Sequence, residues 1–188
     1  MAEKRIILAS GSPRRRELLS KMGYSFETCS PDVDEHVSGL ASDVVRVLCV
    51  RKAHAAQAHI SSGVIIASDT LVSLDGAPLG KPTDRADAKK MLCALSGRSH
   101  DVFTGVCILD AETMREEIRV ERTGVHFRPL KDAEIDTYVQ TDEPLDKAGA
   151  YAIQGGARTF VDSLDGSFDN VMGFPTDTVR EMLAHFDL

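Results

Sequence analysis

Apolar residues along this chain fall into two rhythms. Unbroken β-branched and aliphatic runs at 5–9 and 64–67 predict strands buried on both faces, and a shorter strand is expected at 25–29. Between them the spacing turns helical. A helix over 13–22 carries Leu18, Leu19 and Met22 on one side, with Ser12 placed to cap it, Pro13 at its first position and Gly23 to stop it. A longer helix over 42–60, free of Gly and Pro, buries Val44, Val45, Leu48 and Ala55.

The strand at 64–67 is expected to end at Ser68-Asp69-Thr70, with an extended segment at 71–74 and a hairpin turn at Asp75-Gly76. A loop at 79–82 leads to a helix over 84–95. Alternating segments at 101–109 and 117–127 predict two antiparallel strands. A short helix at 131–140, a glycine-bearing loop at 149–156 and a strand at 159–164 follow. A last helix over 176–186 places Val179, Met182, Leu183 and Phe186 on one face. This order predicts an α/β fold, a mixed twisted sheet with flanking helices, in one domain over 1–188.

Charge narrows the possible partners. The chain has 188 residues and a formal net charge of −7. Nucleic acid and anionic membrane are therefore disfavoured, and an anionic ligand must be met by a local basic patch. No apolar run is long enough for a signal-peptide core or a membrane span. Cys29, Cys49, Cys93 and Cys107 show no metal-site spacing and are expected to be buried reduced thiols, which fits a cytoplasmic protein.

Four constellations carry candidate chemistry. Ser10-Gly11-Ser12-Pro13-Arg14-Arg15 joins a strand to a helix N-terminus, where free N–H groups and the helix dipole favour an anion. Two arginines there oppose the dipole unless an anion lies between them. The segment is not a Walker P-loop. Asp69, expected at the carboxyl end of a strand, is placed to bind metal or take a proton from water. Pro31-Asp32-Val33-Asp34-Glu35 clusters carboxylates of the kind that suit Mg²⁺ or Mn²⁺. Lys52 and Lys81 are the candidate cations. Each has a plainer alternative: a turn Asp, a solvated acidic loop, solvated lysines, and for Asp84 a helix N-cap. Taken together they supply what phosphoanhydride hydrolysis needs.

These residues resemble the Maf family of nucleoside triphosphate pyrophosphatases. The resemblance starts with Leu8-Ala9-Ser10-Gly11-Ser12-Pro13-Arg14-Arg15 and continues through Ser68-Asp69-Thr70, Gly80-Lys81-Pro82, Leu95-Ser96-Gly97-Arg98-x-His100, Glu143-Pro144-Leu145-Asp146-Lys147-Ala148-Gly149-Ala150-Tyr151 and Ile153-Gln154-Gly155. It implies an inosine-triphosphatase-like architecture with two lobes around a central cleft. It also implies hydrolysis between the α and β phosphates, with a divalent cation (Mg²⁺, Mn²⁺ or Co²⁺) as cofactor. Asp69 matches the proton acceptor. Ser10, Arg14, Arg15, Glu35, Lys52, Lys81 and Asp84 match substrate- and metal-handling positions, with Glu35 and Asp69 toward the metal. Arg14, Thr70 and Gln154 match the positions that choose the base, and Arg14 and Gln154 resemble the dTTP/UTP branch. The alternatives are the 7-methyl-GTP branch and a non-catalytic nucleotide-binding regulator of cell division. Ala152 and Phe174 depart from the family's usual Gly and Leu. The sequence leaves open whether two copies form a homodimer.

Overall fold

The computed structural model describes residues 4–188. Its frame is a seven-stranded mixed sheet in the order β2-β1-β3-β5-β6-β7, with β4 paired to β3. β1 (Ile6–Ala9) lies parallel to β2 (Glu27–Cys29) and to β3 (Val64–Leu74). The remaining neighbours are antiparallel: β3 with β4 (Ala77–Leu79) and β5 (Ser99–Asp110), β5 with β6 (Glu116–Phe127), and β6 with β7 (Val161–Asp165).

Six α-helices among the described residues cover this sheet: α1 (Pro13–Lys21), α2 (Ala41–Gln57), α3 (Arg85–Leu95), α4 (Asp132–Val139), α5 (Phe168–Val171) and α6 (Thr176–Ala184). Alternation along the strands decides which helix meets which face. Ile6, Leu8, Val64 and Ile66 pack on Leu18 and Leu19 of α1 and on Val179, Met182 and Leu183 of α6. Their neighbours Ile7, Ala9, Ile65 and Ala67 face the other way, onto Cys49, Ala53 and Ala56 of α2. The far half of the sheet has its own core, where Val102, Val125 and Phe127 meet Leu92 and Leu95 of α3, Ile135 and Tyr138 of α4, and Tyr151 and Phe160. Among the described residues no helix is long and apolar enough to cross a membrane.

The structure corrects several expectations. β3 does not end at Ser68; it runs unbroken to Leu74, and Asp69 is paired with Gly105 of β5. The strand that does end is β1, whose last partner on β3 is Ile66. Beyond that point β3 has lost its parallel neighbour, and the turn Ser10–Arg15 fills the gap. Ser12 takes the N-cap position of α1 without a side-chain bond; the Ser10 hydroxyl accepts its N–H instead, at 3.1 Å. On α2 the buried alanines are Ala41, Ala53 and Ala56, while Ala55 is half-buried. Cys93 is exposed, because α3 buries Ala88, Leu92 and Leu95, a stripe that passes beside it. β4 and α5 are too short for periodicity to reveal. The Asp75-Gly76 turn is as expected, with both residues at positive φ.

Candidate active site

β3 supplies the centre of the site by alternation. Asp69 continues the face of Ile65 and Ala67 and so looks toward α2. Lys52 rises from that helix, and its Nζ lies 2.6 Å from Asp69 Oδ1. The same ammonium reaches Glu35 Oε1 at 2.8 Å. Lys52 and Asp69 keep only 15% and 12% of their side-chain surface exposed, whereas Glu35 keeps 57% and stands at the mouth. The hydrogen bond from Lys52 holds the Glu35 carboxyl below the usual carboxylate range, against its partial burial.

Ser68 and Thr70 carry the opposite face of β3, and Arg15 meets them there. Its NH1 donates to Ser68 O at 2.8 Å and to Ser10 Oγ at 3.4 Å, its NH2 to Thr70 Oγ1 at 3.2 Å, and its Nε to Gly173 O at 2.9 Å. Four of the five guanidinium N–H groups are thus directed at the protein itself. Desolvation lowers the Arg15 pKa, and the Asp69 charge opposes that shift. Arg14, next in the chain, makes no hydrogen bond or ion pair among the described residues and turns into open space.

That space is a cleft of about 870 Å³. The turn 10–15 forms one wall, Lys52, Asp69 and Thr70 form the floor, and Glu35 lies at the mouth. Lys81 closes one end, and the segment 146–154 with Gln154 forms the far wall. Five cations (Arg14, Arg15, Lys52, Lys81, Lys147) and three carboxylates (Glu35, Asp69, Asp146) line it, so an acidic chain presents a locally positive pocket. This is the basic patch that an anionic ligand requires.

Nearly all the site residues expected from sequence meet here. Ser10, Arg14, Arg15, Glu35, Lys52, Asp69, Thr70, Lys81 and Gln154 all line the cleft. Asp84 does not: it caps α3, accepting the Asp87 N–H at 2.8 Å. The acidic run at 32–35 does not act as a unit, since Asp34 accepts from the backbone and ring of His36 and only Glu35 turns inward. Lys147, with 13% of its side chain exposed and paired to Asp146, was not among the expected residues. The local signal for it is the Asp146-Lys147 step before Gly149, a pattern that a solvated ion pair would show equally. His100, without a signal of its own, is buried and hydrogen-bonded through Nε2 to the Tyr151 hydroxyl at 2.8 Å, behind the cleft wall.

The donor set fits a hard divalent cation only in part. Lys52 engages one oxygen of each of two carboxylates, Glu35 and Asp69, and the second oxygen of each has no hydrogen bond among the described residues. No cluster of three or more His, Cys, Asp or Glu able to hold a metal occurs among the described residues. An ion held here therefore needs oxygens from the ligand or from water as well, the usual situation of Mg²⁺ beside phosphates.

The sequence profile of the family described as Maf-like protein matches residues 5–186. A dTTP/UTP pyrophosphatase of Bdellovibrio bacteriovorus is 44% identical over 192 residues, covering 96% of this chain and 98% of its own. One of Pelotomaculum thermopropionicum is 43% identical over 185 residues, with 97% of each chain covered. A third, of Carboxydothermus hydrogenoformans, is 47% identical over 172 residues, with 91% of this chain and 92% of its own covered. With matches that span nearly the whole chain and a mixed sheet that gathers the same motifs around one cleft, the protein belongs to the Maf family.

Proposed function

We propose that the protein hydrolyses dTTP and UTP between the α and β phosphates, releasing the nucleoside monophosphate and pyrophosphate. The observation that carries this reading is the Asp69 carboxylate, held 2.6 Å from Lys52 at the floor of a cation-rich cleft. The names of the full-length relatives support the substrate class.

Arg14, Lys81 and Lys147 receive the triphosphate, the cations of the lining that lie along its walls. Arg15 serves from behind, tying the 10–15 turn to β3 and to Gly173, and leaves one N–H for the ligand. Asp69 takes a proton from water as the water oxygen bonds to the α-phosphorus. The bond from that phosphorus to the bridging oxygen breaks, and its electron pair leaves with pyrophosphate. Lys52 fixes the direction of the Asp69 carboxylate. Glu35 and Asp69 are the carboxylates that would hold a divalent cation, which would supply further charge neutralisation when bound. Gln154 and Thr70 face the base. An amide both donates and accepts, as pyrimidine O4 and N3–H require. Asp84 contributes at one remove, by capping the helix that follows the Lys81 loop.

The test is a panel of nucleotides, 7-methyl-GTP included, assayed for pyrophosphate release with Mg²⁺, Mn²⁺ and Co²⁺. dTTP and UTP are expected to be turned over best. The Asp69→Asn variant is expected to lose turnover by about a hundredfold or more while melting near the parent temperature. If that variant retains most of its activity, Asp69 is not the base. Preferred turnover of 7-methyl-GTP would reverse the branch assignment, and binding without turnover under every metal would favour a regulatory role.

A further inference from the structure

Gln154 stands at the exposed tip of a tight turn, and its own side chain makes no hydrogen bond among the described residues. The turn is closed by Gly155 N–H to Ala152 O at 3.0 Å. What holds it comes from outside. The Tyr138 hydroxyl, on α4, accepts the Ala152 N–H at 3.1 Å in a buried contact. The Glu143 carboxylate accepts the Gly156 N–H at 2.9 Å. The two anchors thus flank the turn, one on either side of Gln154.

Gly155 shows how closely Glu143 is seated. A Cβ on Gly155 would lie 1.7 Å from Glu143 Oε1 and 2.5 Å from its carboxyl carbon, so the carboxylate fills the space that the missing side chain leaves. Ile153, only 3% exposed, is the third fastening, locked into the core beside Tyr138 and Phe160. Tyr138 stays a neutral phenol, because burial and then the neighbouring Glu143 raise its pKa. Neither Tyr138 nor Glu143 lines the cleft.

We infer that Tyr138 and Glu143 are positioning residues for base selection: they fix both sides of the Ala152–Gly155 turn, so that Gln154 meets the base in one orientation. The inference rests on the assignment of Gln154 to the base in the proposed function. A side chain that is free at its tip selects only if its backbone is held, since each loose torsion dilutes the productive hydrogen-bond geometry.

The experiment compares the ratio of kcat/KM for dTTP to that for GTP in the parent and four variants. Glu143→Ala and Tyr138→Phe are each expected to lower the ratio about tenfold, the worth of one hydrogen bond, through a higher KM for dTTP with kcat kept within about twofold. Glu143→Gln keeps an acceptor oxygen and is expected to retain the parent ratio, which a role resting on the Glu143 charge would not predict. Gln154→Ala is expected to lose the ratio. Amide hydrogen exchange is expected to be faster at Ala152 in Tyr138→Phe and at Gly156 in Glu143→Ala. Glu143 lies near the surface, so the Glu143 pair decides the matter even where Tyr138→Phe folds poorly. A parent ratio in Glu143→Ala beside a lost ratio in Gln154→Ala overturns the brace and leaves the base assignment standing. A parent ratio in Gln154→Ala overturns both.

Discussion

Gly105 offers the sharpest test of how the site is assembled. It lies on β5 opposite Asp69, where the backbone of α2 crosses the sheet. A Cβ there would come within 2.4 Å of the Val45 carbonyl oxygen and 2.7 Å of its carbon. Ordinary contact begins near 3.4 Å, so in Gly105→Ala the helix must retreat by about 1 Å. Backbone atoms cannot step aside as a side-chain tip does. Overpacking of this kind costs about 1–3 kcal/mol. For a chain of this length that is a fall of about 2–12 °C in melting temperature. Lys52 travels with α2, and its 2.6 Å contact to Asp69 has no slack for such a shift. Misplacement by about 1 Å costs on the order of a hundredfold in turnover. Thermal unfolding and pyrophosphate release on the same preparation check both consequences. Parent melting and parent kcat in Gly105→Ala refute the close approach itself. A destabilised variant with full kcat refutes the claim that α2 sets the geometry of Asp69.

Four further outcomes follow. Arg14→Ala is expected to raise KM for dTTP about tenfold or more with denaturant stability unchanged. Arg15→Ala is expected to cost about 1–3 kcal/mol of stability in urea unfolding, because Ser68 O and Gly173 O lose their donor. Burial lowers the His100 pKa from 6.5 to about 4, so the unfolded chain binds its proton first as pH falls. Its stabilising contribution is present above about pH 6.5 and is lost on the way down to about 4, by roughly 1.4 kcal/mol for each unit of difference. His100→Gln is expected to flatten that part of the stability–pH curve. Arg128 lowers the Glu134 pKa to about 2, and this contribution is lost as pH falls from the ordinary carboxylate range toward 2. Urea unfolding of Glu134→Gln between pH 5 and pH 2 is expected to show a smaller loss than the parent.

The long elements were legible because their apolar spacing extends over several turns or several strand residues. α2, α3, α6, β5 and β6 are each found within a few residues of expectation. β3 was not, because Ser68-Asp69-Thr70 breaks the apolar run that marked the strand. Polarity there reflects the cleft beside it, and the backbone ladder with β5 carries on regardless. Glu35, Lys52 and Asp69 were each nameable, and the family resemblance implied that they share a cleft, but no local pattern shows that Lys52 bridges the two carboxylates. That bridge depends on α2 crossing β3 at the right height, a long-range fact with no local trace. The pattern of a Ser-Pro-Arg-Arg step could not say which arginine turns inward either. That choice follows from the acceptors on β3 and at Gly173, which are 53 to 158 positions away in the chain.

The unbroken ladder of β3 bears on how such a chain can vary. Ser68, Asp69 and Thr70 are consecutive and face alternate sides, Asp69 to Lys52, Thr70 to Arg15 and Ser68 to the Gly173 carbonyl that Arg15 also holds. Inserting or deleting one residue between Val64 and Leu74 would turn Asp69 toward the arginine side and put a hydroxyl beside Lys52. No neighbouring register keeps even part of the arrangement. Point substitution is therefore the only gradual route open to this strand, and changes of length must be absorbed in the turns around it.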